Sequence, residues 1–243
     1  MNNEFLLYSK LKQHKLTIDY SLRLISSALQ KSDNWYVAFS GGKDSTVTLD
    51  LARVVCRDIP AVSSIQQWCL PETQEYLNRI DNIELVGSGS DHNTGWSPNW
   101  QSEDDLPSGI RWLGEKGKVA KNYGRSELGV FLGTRIEENS RRKRLFKSRG
   151  ALFFHRGNNI WQCSPIARWS IMDVWAYIYS NGLDYNKAYD RMNTIGVPLN
   201  EQRIGPLAVE SVLGYGQLAI LKRGWPELYN RFAAEHPQAR SYV

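Results

Sequence analysis

Apolar residues recur through the first thirty positions at Leu7, Leu11, Ile18, Leu22, Ile25 and Leu29, with polar residues between them. A spacing of three to four is that of a helix with one buried face, so the stretch Glu4–Leu29 predicts one or two helices. The pattern then tightens. Trp35-Tyr36-Val37-Ala38-Phe39 is an unbroken aromatic and β-branched run, as in a buried strand. Thr46 to Val55 returns to helical spacing. Further short apolar runs predict strands at Ala61–Ile65, Ile83–Val86, Leu128–Leu132 and Trp161–Cys163. Pro71, tolerated in a first turn, opens a helix expected to run to Ile80. Ser170, with Asp173 three residues on and Val174, Trp175 and Ile178 as an apolar face, reads as a capped helix. Leu207–Leu221 and Trp225–Phe232 complete the pattern as helices broken at Gly224-Trp225-Pro226.

Strands alternating with helices predict an α/β fold, a doubly wound and mostly parallel sheet with N- and C-terminal helices. At 243 residues the chain suits one large core. It divides into a helical segment at 1–34, a core at 35–180 and a helical extension at 181–243.

The junction between the first strand and its helix is Ser40-Gly41-Gly42-Lys43-Asp44-Ser45. Two glycines let the backbone turn tightly and leave its amides open, and with the helix N-terminus they form a cradle for an anion. Lys43 adds a point charge, and Ser40 and Ser45 add hydroxyl donors. The first glycine and four-residue spacer of a Walker loop are missing. The bland reading is a turn with Asp44 as N-cap; three phosphate-type groups around two glycines favour a nucleotide site.

In parallel sheets ligands sit at the carboxyl ends of strands. Three polar clusters fall at such ends, Ser40–Ser45, Pro71–Thr73 and Gly133–Arg135, and the topology predicts that they converge. After Gly133, Arg135 offers a planar guanidinium to phosphate oxygens, and Arg141 lies further along what reads as one basic helix. The pairs Glu137–Arg141 and Glu138–Arg142 equally suit a solvated helix face, as do Lys143, Arg144, Lys147 and Arg149. Between Thr94 and Arg125, three tryptophans alternate with charged residues; the segment reads either as a lid or recognition surface or as a loop packed on the domain.

Composition narrows the class only a little. Hydrophobic content of 42% and charged content of 23% are those of an ordinary globular chain. A net charge of +5 favours anionic ligands, which nucleotides alone satisfy. No run of 18 apolar residues predicts a membrane span, and the N-terminus lacks a signal peptide's apolar block. Cys56, Cys69 and Cys163 are unclustered, which gives neither a disulfide framework nor an iron–sulfur spacing, and a reducing cytoplasm fits.

The loop Ser40–Ser45 resembles the PP-loop of ATP pyrophosphatases. The segment Gly133-Thr134-Arg135-Ile136-Glu137-Glu138-Asn139-Ser140-Arg141 is similar to the G-x-R-x-x-E-x-x-R element of the phosphoadenylylsulfate reductase and ATP sulfurylase small-subunit superfamily. Pro165 to Ile178 is similar to that superfamily's P-[IL]-x-x-W-[ST]-x-x-D-[VI]-W-x-Y-[IL] segment. The resemblance, over about Trp35–Ile178, implies an adenine nucleotide alpha-hydrolase-like fold and cleavage of ATP to AMP and pyrophosphate. It implies ATP bound by Ser40, Gly41, Gly42, Lys43, Asp44, Ser45, Gly133, Arg135 and Arg141. Lys43, Asp44 and Arg135 would be catalytic, and Asp44 would hold Mg²⁺. The reductases' Glu-Cys-Gly-Leu-His tail and paired cysteines have no counterpart here: Pro206 and Val209 stand where the pair would be. Reductase activity and an iron–sulfur cluster are therefore not expected. The resemblance points instead to the ATP pyrophosphatase of bacterial DNA phosphorothioation systems, with DNA, a cysteine desulfurase and other phosphorothioation proteins as partners. A sulfate adenylyltransferase small subunit is the alternative, and a non-catalytic nucleotide-sensing or DNA-binding module is the alternative from another class.

Overall fold

The computed structural model of the chain describes residues 2–65, 68–87, 128–138, 140–156, 160–205 and 216–243. The first apolar stretch forms two helices, α1 (Asn2–Tyr8) and α2 (Lys12–Leu29). The buried face of α2 is not the leucine stripe the spacing suggests: His14, Ser21, Ile25 and Ala28 turn inward, while Leu7 and Leu11 are exposed.

The strands and helices that follow are β1 (Asn34–Ala38), α3 (Lys43–Val55), β2 (Ala61–Ile65), α4 (Pro71–Leu77), β3 (Ile83–Gly87) and β4 (Leu128–Leu132). A 3-10 turn at Ile136–Glu138 then leads to α5 (Ser140–Arg149), β5 (Leu152–His155), β6 (Ile160–Cys163) and α6 (Ile171–Ser180). The chain closes with α7 (Ala188–Thr194), α8 (Gln217–Gly224), α9 (Pro226–Glu235) and a second 3-10 turn, Pro237–Tyr242. Among the described residues no helix is long and apolar enough to cross a membrane. Thr94–Arg125 and most of the helix expected from Leu207 lie outside the described residues.

Six strands form one sheet in the order β3-β2-β1-β4-β6-β5. β1 runs parallel to β2 and β4, and β4 parallel to β6, in a register that sets Tyr36 beside Val130 and Ala38 beside Leu132. The doubly wound, mostly parallel sheet is thus the observed fold. One strand escaped the sequence pattern: β5 is antiparallel to β6 at the edge, with Phe153 and Phe154 only half-buried. Tyr36, Val62, Leu128, Val130 and Ile160 form a core across the sheet. Gly129 belongs there for lack of a side chain, since a Cβ would stand 2.3 Å from the Trp35 ring. The ring instead lies 4.4 Å from that of Phe131.

Helix α3 packs on β1 and β4, α2 on α3 and β6, and α6 on α1 and α3. Tyr177 of α6 donates to Asp50 of α3 at 2.7 Å, and burial beside that carboxylate pushes its phenol far up. The predicted capping box is present: Ser170 Oγ accepts from the Asp173 amide, and Asp173 accepts from that of Ser170.

The chain clusters into two units, Met1–Ser64 with Ile80–Val86 and Gln101–Tyr185, and Ile65–Arg79 with Gly87–Trp100 and Asn186–Val243. In the second, Trp68 packs edge-on to Phe232 at 5.4 Å. Glu72 there binds Arg191 Nε and Trp225 Nε1, each at 2.9 Å, and Asn186 Nδ2 donates to Thr73 at 2.8 Å. Helix α4 ends at Leu77, three residues before the expected Ile80.

Candidate functional site

The sheet order reverses between β1 and β4, whose neighbours lead away in opposite directions. Such a switch point opens a crevice beyond the carboxyl ends of the two strands. The two most informative polar segments of the first unit both emerge there: Ser40–Ser45 after β1 and Gly133–Arg135 after β4.

Gly41 adopts φ 73°, the left-handed region that glycine enters without strain. Gly42 is the N-cap of α3, and no side chain caps the helix. Asp44 is therefore not the N-cap the bland reading supposed. Its place is in the first turn, where the helix dipole favours an anion. Ser45 Oγ donates to the Gly42 carbonyl at 2.8 Å and lies 3.3 Å from the amide of Ser40. Ser40 Oγ in turn accepts from the Gly42 amide at 3.3 Å, and the two hydroxyls lie 3.3 Å apart. Both serines thus brace the loop as well as offering it donors. Lys43 is buried despite its charge, at 4% exposure.

The approach of the β4 loop is close enough to require glycine. A Cβ on Gly133 would stand 2.8 Å from the Asp44 carbonyl carbon and 2.9 Å from the Ser45 nitrogen. That contact delivers Arg135, only 5% exposed, to the start of α3. Arg135 Nε donates to Asp44 Oδ1 at 2.6 Å, and Lys43 Nζ lies 3.2 Å from Asp44 Oδ2. Arg135 Nη1 donates to Glu137 Oε2 at 2.5 Å and reaches the Trp169 carbonyl at 3.4 Å. Two cations and a carboxylate face one another beside the glycine loop, an arrangement suited to a polyphosphate whose charge changes during reaction.

Two expectations about this region need correction. Arg135 does not open a helix: it sits in the loop, and α5 begins five residues later at Ser140 after the 3-10 turn. Glu137 pairs with Arg135 rather than with Arg141, because the turn breaks the helical register; Glu138 does pair with Arg142. Arg141 is exposed on the first turn of α5, where among the described residues it makes no bond to the loop. Of the polar clusters, Ser40–Ser45 meets Gly133–Arg135, whereas Glu72 and Thr73 find their partners in the second unit.

Asp44 is the one carboxylate of the loop, and both its oxygens face cations. Among the described residues no three His, Cys, Asp or Glu side chains are grouped to cage a metal. The donor set fits an ion carried on nucleotide phosphates, which needs few protein ligands. Cys163 is fully buried, and burial pushes its thiol and that of Cys69 up, away from the reactive thiolate.

Comparison with known proteins agrees with the fold. A Salmonella heidelberg phosphoadenosine 5'-phosphosulfate reductase is 27% identical over 179 residues, covering 69% of this chain and 70% of that protein. An uncharacterized protein of Methanocaldococcus jannaschii is 27% identical over 216 residues, 83% of this chain, which spans about half of that relative's length, 48%. Among solved structures, the phosphoadenylyl-sulfate reductase of Candida auris superposes with a TM-score of 0.52 at 15% identity, covering 77% of this chain and 88% of that one. The FMN adenylyltransferase of Candida glabrata, in complex with ATP, superposes with a TM-score of 0.53 at 14% identity, covering 77% and 65%. Residues 34–197 match the phosphoadenosine phosphosulfate reductase domain, from the strand before the loop to the residues beyond α7, and the chain belongs to that family.

Proposed function

We propose that the protein is an ATP pyrophosphatase that cleaves between the α- and β-phosphates and passes the adenylyl group to an acceptor oxygen. The observation that carries this reading is the meeting of Lys43, Asp44 and Arg135 at the glycine loop. The acceptor oxygen attacks the α-phosphorus, the bond to the α,β-bridging oxygen breaks, and pyrophosphate leaves with that electron pair. With water as acceptor the products are AMP and pyrophosphate. The loop amides and Lys43 bind the β- and γ-phosphates, and Arg135 stabilises the charge that grows on the departing oxygen. Asp44 would hold the magnesium of MgATP, whose contribution is to neutralise the leaving pyrophosphate.

For the acceptor we propose a DNA backbone phosphate, activated for sulfur transfer in a reducing cytoplasm with a cysteine desulfurase and further phosphorothioation proteins as partners. Sulfate is the second reading, favoured by relatives that act on sulfonucleotides. Direct reduction is the weaker one, since Cys163 and Cys69 are poor thiolates. Products from ATP labelled at the α- and γ-positions decide the first point. Labelled AMP and pyrophosphate are expected, and ADP would overturn the proposal. Stimulation by DNA or by sulfate then separates the acceptors.

A further inference from the structure

Helix α2 places two polar residues, His14 and Ser21, on its buried face, each about 1% exposed or less. Both bind the stretch that runs from the end of β6 into the first turn of α6. Ser21 Oγ accepts from Trp169 Nε1 at 2.8 Å and donates to the Pro165 carbonyl at 2.8 Å. His14 Nδ1 lies 2.9 Å from Asp173 Oδ1, which as a carboxylate oxygen assigns the proton to Nδ1. The other oxygen of Asp173 accepts from the amide and hydroxyl of Ser170 at 2.9 and 2.6 Å. The segment Pro165–Asp173 is thus fastened to α2 at both ends.

That same segment holds Arg135 and the two residues after it. The Trp169 carbonyl accepts from Arg135 Nη1, and the Ala167 carbonyl accepts from the Ile136 amide at 2.8 Å. The Ile171 amide donates at 2.9 Å to Glu137 Oε2, the oxygen that also accepts from Arg135. His14 Nε2, meanwhile, is buried with no hydrogen-bond partner among the described residues, and the ring packs edge-to-face with those of Tyr8 and Trp169, their centroids 5.7 and 5.9 Å away. A buried nitrogen left without a partner calls for a reason, and an apolar residue would avoid it. The bond through Nδ1 supplies that reason.

We infer that His14 and Ser21 are positioning residues, which set the direction of the Arg135 guanidinium through the Pro165–Asp173 segment. The arrangement itself is independent of the substrate; only its effect on turnover rests on the ATP reading above.

Three variants test it. His14→Leu removes both the bond and the unpartnered nitrogen while keeping an apolar filling; His14→Asn retains a donor near Nδ1; Ser21→Ala cuts the second tie. Hydrogen exchange of the Ile136 and Ile171 amides should quicken in His14→Leu and Ser21→Ala and recover in His14→Asn, with amides of β1 and β4 unchanged. For pyrophosphate release, kcat should fall about tenfold or more, as for a displaced catalytic group, with KM for ATP held within about twofold. In an Arg135→Ala background the same change should cost nothing further. Unchanged exchange at Ile136 and Ile171 overturns the inference, as does a uniform rise at all amides that His14→Asn fails to rescue. Localised exchange in a protein that yields no AMP upholds the positioning and rejects the ATP reading.

Discussion

Asp44 and Arg135 stand 91 positions apart in the chain, yet the guanidinium of one donates to the carboxylate of the other at 2.6 Å. Asp44 also faces Lys43, so one carboxylate divides its charge between the two cations of the loop. On the proposed reading, a phosphate chain entering the cradle must take these cations from Asp44. Asp44→Asn should therefore bind magnesium-free pyrophosphate more tightly than the native protein while losing turnover by about 10²-fold or more. Titration calorimetry with pyrophosphate, beside a pyrophosphate-release assay, checks both halves. Weaker binding would show that Asp44 does not compete with the anion.

Lys43→Ala and Arg135→Ala should each lower the rate by about 10²-fold, as for a lost transition-state contact. The bonds described for both side chains are to polar groups, Asp44 first among them, rather than to the apolar core. Circular dichroism should therefore be unchanged. A Lys43→Ala variant of native activity would remove that residue from the phosphate site.

Gly133→Ala tests the close approach by itself. Its Cβ would press on the backbone of Asp44 and Ser45, neither of which can swing aside as a side chain can. Overpacking of this kind costs about 1–3 kcal/mol, and the displaced loop carries Arg135 with it. Lower melting together with weakened nucleotide binding is the expected pair of results. Native behaviour in both assays would mean that the two loops separate freely.

Asp173 gives a pH dependence with a definite sign. Burial alone raises its carboxyl, but hydrogen bonds from His14 and Ser170 outweigh this and leave the pKa lowered. A lowered carboxyl contributes stability above its unfolded value of about 3.9, and that contribution disappears as pH falls through the lower folded value. Melting temperature should therefore drop more steeply below about pH 4 in the native protein than in Asp173→Asn. Parallel acid limbs would remove Asp173 as a source of the dependence.

Replacing all three cysteines should spare activity. Cys163 is fully buried and acts as a small hydrophobe, so Cys163→Ala is expected to lower stability while turnover persists. Loss of turnover with a normal melt would point to thiol chemistry.

Much of this was legible because local pattern and tertiary demand agree. The run Trp35–Phe39, the glycines after it and the capping box at Ser170 each state their structure within a few residues. What stayed hidden was decided at a distance. His14 and Ser21 are polar positions that the apolar spacing leaves unmarked, and their bonds to residues 144 to 159 positions away hold them inside. Edge strand β5 carries no alternation, since its residues are all half-buried. The pairing of Glu137 with Arg135 depends on the 3-10 turn, which i,i+4 spacing assumes away.

The adjacency of β1 and β4 also has a temporal side. These neighbours pair Asn34 with Leu128 and Ala38 with Leu132, so their union closes a long stretch of chain. Contacts of such sequence separation form slowly, because loop-closure entropy is lost before the contacts are gained. A folding chain that has joined β1 to β2 already owns its glycines and Lys43, but Arg135 remains unattached until β4 docks. On the proposed reading, recognition of a nucleotide is thus postponed to the final form of the sheet, and ligand added during refolding should select finished molecules without hastening their arrival.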